Sequence, residues 1–154
     1  MIHYAIMALG ESDPAVIAAI REEVHCLGAT ELHTPEQVDS ARPDQGVCLV
    51  FVNTHDACAA DLARPALARA LQHDRVPEKV ISVFAGQELA ATARARSYFG
   101  DYFPTAPQIG LLSDGEVVYM CDRDDMLKRL KSVDSIVAEI VGVFDEHGRD
   151  FDGD

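Results

Sequence analysis

A chain of 154 residues with 48% hydrophobic side chains is long enough for one substantial core and too short for two. Acidic residues outnumber basic ones 26 to 13, and the net charge of -13 repels a phosphate backbone, which excludes nucleic acid as an expected partner. No apolar run reaches the roughly 18 to 20 residues that span a bilayer, and Met1-Ile2-His3-Tyr4 lacks the basic start of a secretory leader, so no membrane partner is expected and the expected location is the cytoplasm.

In chain order, Ser12-Asp13-Pro14 supplies an N-cap and an early proline. Val16, Ile17, Ile20 and Val24 then recur at helical spacing until Gly28 offers a stop. Ala29 to His33 reads as short and extended, and Thr34-Pro35-Glu36-Gln37 is a capping box opening a brief helix to about Ala41. Arg42-Pro43-Asp44-Gln45-Gly46 is a turn by composition. Val47-Cys48-Leu49-Val50-Phe51-Val52 is an unbroken apolar run, the pattern of a central strand buried on both faces.

From Ala57 to about His73 a helix is expected, kinked by Pro65. Val80 to Ala85 reads as a strand and Gln87 to Phe99 as an alanine-rich helix, a unit that favours parallel pairing with a right-handed crossover. Ile109 to Leu112 and Glu116 to Cys121 are two strands joined across Ser113-Asp114-Gly115, a hairpin signal. A single last helix from Asp124 to Phe144 is expected from apolar residues spaced near 3.6. The tail 147–154 is acidic and reads as flexible, so residues 1–146 form one domain with an N-terminal helical extension. This order predicts an α/β fold with a central mixed sheet and helices on both faces, and a cysteine at the first strand-to-helix junction makes it the thioredoxin arrangement.

The informative segment is Asn53-Thr54-His55-Asp56-Ala57-Cys58, where a central strand hands over to a helix and open α/β sheets place their sites. Unpartnered N–H groups of the first turn favour a thiolate on Cys58. Protonated His55 would add to that effect and ionised Asp56 would oppose it. An unshifted thiol with pKa about 8.5 is only ~3% thiolate at pH 7, against ~24% after one unit of depression. Asp56 is equally a good N-cap, and a small cysteine in a packed first turn is often inert. Both readings stay open.

The other cysteines, Cys26, Cys48 and Cys121, form no C-x-x-C pair with Cys58 or one another, so no disulfide framework or four-cysteine zinc site is signalled. Cys48 reads as core, and His25 beside Cys26 is a weak metal hint. Pro107 begins a strand beside the Cys58 helix start, where a cis Ala106-Pro107 bond would present backbone to an extended partner. Arg64 would pair with an acidic group, by default as an exposed ion pair.

Val52-Asn53-Thr54, Cys58-Ala59-Ala60, Leu62-Ala63-Arg64-Pro65-Ala66 and Val83-Phe84-Ala85-Gly86-Gln87 together resemble the bacilliredoxin family. The likeness continues through Tyr98-Phe99, Pro104 to Pro107, Leu111-Leu112 and Glu116-Val117-Val118. It implies a cytosolic thioredoxin-fold thiol-disulfide oxidoreductase acting on bacillithiol-protein mixed disulfides or protein disulfides. No bound cofactor or metal is implied, bacillithiol or another small thiol being the co-substrate, and a cis bond at Pro107 is. Members carry Cys-Gly-Cys at the helix start, the first cysteine attacking and the second resolving. Here Asp56 and Ala57 stand at the first two positions and only Cys58 matches, so an internal Cys-x-Cys bridge is chemically impossible.

Three functions follow. One is a monothiol oxidoreductase with Cys58 catalytic, His55, Asp56 and Arg64 modulating it, and Ala106 and Pro107 forming the groove for protein thiols or mixed disulfides. Another is a redox-inactive binding module on the same fold. The weakest is a metal or iron–sulfur site built on Cys58 and His55.

Overall fold

The computed structural model describes residues 13–150. Ser12 of the expected first cap and tail residues 151–154 lie outside them.

Helix α1 spans Pro14–Cys26, and its cap is Asp13, whose carboxylate accepts the Ala15 amide at 2.9 Å. Ile17, Ile20 and Val24 are buried, while Val16 falls outside the stripe and is exposed. After β1 (Thr30–Glu31), α2 (Pro35–Ser40) is capped by the Thr34 hydroxyl, which accepts the Gln37 amide at 3.1 Å. Gln37 reaches back to the His33 amide at 2.7 Å, one residue earlier than a capping box requires.

Strand β2 (Val47–Asn53) is buried at every position. Because successive side chains of a strand point to opposite faces, it feeds two cores. Val47, Leu49 and Phe51 join Ala63, Leu67, Ile136, Ile140 and Phe144 on one face, while Cys48, Val50 and Val52 join Val38, Ala91, Ala95 and Phe99 on the other. An uninterrupted apolar run is therefore required, since neither face meets water.

A π-helical turn, Ala59–Ala63, runs into α3 (Arg64–Ala70). The Arg64 N–H reaches the Ala59 carbonyl, five residues back, so the Pro65 kink expected from sequence takes the form of a widened turn just before the proline. The helix ends at Ala70, short of His73. Next come β3 (Arg75–Val76), β4 (Lys79–Phe84), α4 (Leu89–Ser97), β5 (Gln108–Ser113) and β6 (Glu116–Cys121). The hairpin turn between β5 and β6 holds Asp114 at φ 48° and Gly115 at φ 88°, the left-handed pair that a two-residue hairpin requires.

The expected single helix from Asp124 to Phe144 is two pieces. A π-helical turn, Asp125–Leu130, stops at Lys131 (φ 68°), and α5 spans Val133–His147. Ser132 is extended, and its hydroxyl accepts the Ser135 amide at 3.1 Å, which makes it a new N-cap. The apolar spacing passes through this break without interruption, which hid it.

Five strands form a mixed sheet in the order β1-β4-β2-β5-β6. β1 and β2 lie parallel to β4, whereas β5 is antiparallel to both β2 and β6. With helices on both faces this is the thioredoxin-like architecture expected from sequence. Of the tail expected to begin at His147, that residue completes α5 and Arg149–Asp150 form β7, which pairs antiparallel with β3. Among the described residues no helix is long and apolar enough to cross a membrane.

Candidate functional site

Beyond Asn53, residues 54–56 turn the chain off β2, and the helix that carries Cys58 begins. Asp56 caps it: one carboxylate oxygen accepts the Ala59 amide at 3.1 Å, and the Asp56 carbonyl accepts the Ala60 amide at 3.0 Å. The other carboxylate oxygen receives Nη1 of Arg123 at 2.5 Å. That same nitrogen also donates to the Ala106 carbonyl at 3.2 Å, and the Arg123 amide reaches Thr105 Oγ1 at 3.5 Å. The Ala106–Pro107 bond is cis. Three segments far apart in sequence thus meet at Asp56 and Arg123: the turn after β2, the loop into β5, and the loop after β6.

Cys58 is enclosed rather than facing solvent. It is 5% exposed and belongs to the core cluster with Val24, Ala29, Phe51 and Ala63. Burial pushes its thiol above the ordinary range, Arg123 pulls it back, and Asp56 and Asp61 push it up again. The resting group at pH 7 is therefore the thiol. The cation that pulls it back is Arg123, which the sequence reading did not weigh; His55, which it did weigh, is half-buried in the turn.

Arg64 is likewise not an exposed ion pair. It is 3% exposed, and Nε meets Glu23 of α1 at 3.0 Å while Nη1 donates to Asn53 Oδ1 at 2.9 Å and to the Thr54 carbonyl at 2.8 Å. Its work is to fasten the end of β2, one turn from Cys58, to α1. In the loop leading to Pro107, Arg96 donates to the Thr105 carbonyl at 2.7 Å, and Tyr102 and Phe103 are exposed.

Cys48 and Cys121 are fully buried, and burial pushes their thiols up to about 11 and about 12. Exposed Cys26 lies 3.7 Å from the Glu22 carboxylate. Among the described residues no three His, Cys, Asp or Glu side chains come together as a metal-ligand group. Neither His25-Cys26 nor His55-Cys58 belongs to such a group among the described residues.

A family model described as disulphide isomerase matches residues 13–148. A bacilliredoxin of Bacillus cereus is 46% identical over 111 residues, which cover 72% of this chain and 77% of that one. Another, from Staphylococcus saprophyticus, is 36% identical over 132 residues, 86% of this chain and 90% of that one. The chain belongs to the bacilliredoxin family. A solved thioredoxin-fold structure matches at 16% identity with a TM-score of 0.55, covering 73% of this chain and 92% of that one, and supports the fold alone. Bacilliredoxin membership on this fold supports a redox thioredoxin-like function.

Against that bacilliredoxin background, Arg123 is the site residue the sequence did not reveal. Its partner Asp56 lies 67 positions away. The local signal was one basic residue inside Asp122-Arg123-Asp124-Asp125, which reads equally as solvated surface.

Proposed function

We propose that this bacilliredoxin-family protein performs thiol-disulfide exchange through one cysteine, Cys58, on mixed disulfides between proteins and a small thiol, with bacillithiol as the thiol the family implies. The observation that carries the reading is the placement of Cys58 in the first helical turn beyond the central strand, beside the Arg123 cation. In the first step the Cys58 thiolate attacks the small-thiol sulfur of the mixed disulfide. A Cys58–small-thiol disulfide forms, and the protein thiolate leaves and takes a proton. A second small thiol, as thiolate, then attacks that new disulfide, returning Cys58 and releasing the oxidised small-thiol dimer. Asp56 has no sulfur to offer, so the resolving thiol must come from solution.

The cis Ala106-Pro107 segment lies at the same end of the sheet, held to Asp56 through Arg123, and supplies the groove for the protein partner in this reading. Cytoplasmic thiols are the setting it calls for. Because Cys58 is buried and its thiol raised, exchange requires a local opening and proceeds slowly at neutral pH.

The test is to incubate reduced protein with a bacillithiol-modified protein and follow both adducts by mass spectrometry. Transfer of the small thiol onto Cys58, abolished in Cys58→Ser, is expected. Undiminished removal by Cys58→Ser would overturn the reading. The burial of Cys58 favours a second reading, a redox-silent module that keeps the thioredoxin groove for binding. It predicts a Cys58 that neither takes up the small thiol nor alkylates in the native state between about pH 5 and 9.

A further inference from the structure

Arg123 ties the turn that carries Cys58 to the loop that carries Pro107. Its Nη1 stands 2.5 Å from Asp56 and 3.2 Å from the Ala106 carbonyl, and its side chain is 40% exposed. Asp56 meanwhile spends one oxygen on the helix cap and the other on Arg123. Asp56 and Asp61, from its own turn and helix, act against a thiolate on Cys58, Arg123 from the loop after β6 acts for it, and His55 lies in the same turn.

We propose that Arg123 is the positioning residue that keeps Cys58 ionisable, and that Asp56, by pairing with Arg123, restrains the thiol. This deepens the exchange reading and rests on it. Cys58 lies in the first turn of the helix that Asp56 caps, and that carboxylate is already bound to the Arg123 guanidinium, so the two opposite charges offset each other at a thiolate there. Removing the carboxylate leaves the guanidinium uncompensated and still held by the Ala106 carbonyl, so the thiolate gains. Removing the guanidinium leaves the carboxylate uncompensated, so the thiolate loses. Burial sets the resting state toward the thiol, and the ion pair sets how far an opening of the site shifts it.

The experiment is peptide-resolved alkylation of the intact reduced protein across pH, which separates Cys58 from exposed Cys26. Asp56→Asn keeps a side-chain oxygen for the Ala59 amide, since asparagine caps as well as aspartate. Its Cys58 midpoint is expected to fall by about half to one unit, roughly three- to tenfold more thiolate at pH 7. The alkylation rate there rises only about two- to fourfold, because intrinsic nucleophilicity drops with pKa. Arg123→Met is expected to raise the midpoint by a similar amount, and Arg123→Lys to restore it.

A purely structural tie would alter the plateau rate, which reads access, and leave every midpoint in place. Midpoints that stay put in Asp56→Asn or in Arg123→Met overturn the proposal. The small-thiol transfer assay is run on the same variants. Midpoints that move without any transfer retire the exchange reading and uphold the Arg123 assignment, whereas transfer with fixed midpoints does the reverse.

Discussion

Arg64 is a guanidinium 3% exposed in a protein that has no need of a buried cation for its core. Taking such a charge out of water costs several kcal/mol unless its donors are engaged, and here Glu23, Asn53 and the Thr54 carbonyl engage them. Arg64→Met would leave the Asn53 side-chain oxygen and the Thr54 carbonyl buried without that donor. The expected loss is about 2–4 kcal/mol, a drop in Tm of roughly 4–16 °C for a chain of this size. A thermal melt within about 1 °C of the parent would contradict it. The sequence placed Arg64 on the right helix and read it as exposed, because burial depends on how α1 packs across the end of β2, and no local pattern encodes that. The same holds for Cys58: the helix start was legible, and its enclosure by residues of α1 and β2 was not.

At the scale of elements, the two helix breaks show what periodicity misses. Apolar spacing near 3.6 continues from Met126 to Phe144 across an extended Ser132, and only the cap hydrogen bond reveals that a new helix starts there. Ser132→Ala should cost about 1 kcal/mol, read as a lower denaturant midpoint at unchanged slope. A second element-scale test is Gly110 on β5, where an added Cβ would lie 2.5 Å from Cε1 and 2.9 Å from Cζ of Phe99. That ring is 3% exposed and packed against Ala91 and Ala95, so it has little room to yield. Gly110→Ala should destabilise by about 1–3 kcal/mol, and equal or greater stability would show that the α4 side of the sheet is looser than its packing implies. The hairpin from β5 to β6 was, by contrast, legible from two apolar runs and an Asp-Gly turn, since local turn chemistry sets such pairing, whereas the pairing of β5 on β2 across more than fifty residues was not.

At the scale of the whole molecule, Cys48 and Cys121, the two fully buried thiols, couple stability to pH. Burial raises Cys48 from 9.0 to about 11 and Cys121 from 9.0 to about 12. A group whose pKa is raised on folding contributes its full stability below the unfolded value and loses it as pH climbs toward the folded one. Stability should therefore hold up to about pH 8 and decline above pH 9, where the unfolded chain ionises first. In Cys48→Ala the fall in Tm between about pH 8 and 10 should be shallower than in the parent. An equal or steeper fall would show that the alkaline loss comes from other groups.

The sequence by itself determined the mixed α/β sheet, the identity of its central strand and the family. Each is written in local pattern: an apolar run that two cores require, turn residues with the right backbone freedom, and short motifs at fixed separations. Only the tertiary structure decided the environment of Cys58. It buried the thiol, turned Asp56 into both a cap and an ion-pair partner, and brought Arg123 from 67 positions away. Solvent access and electric field at a side chain are sums over neighbours that the fold assembles, and such sums are not legible in the order of residues along the chain.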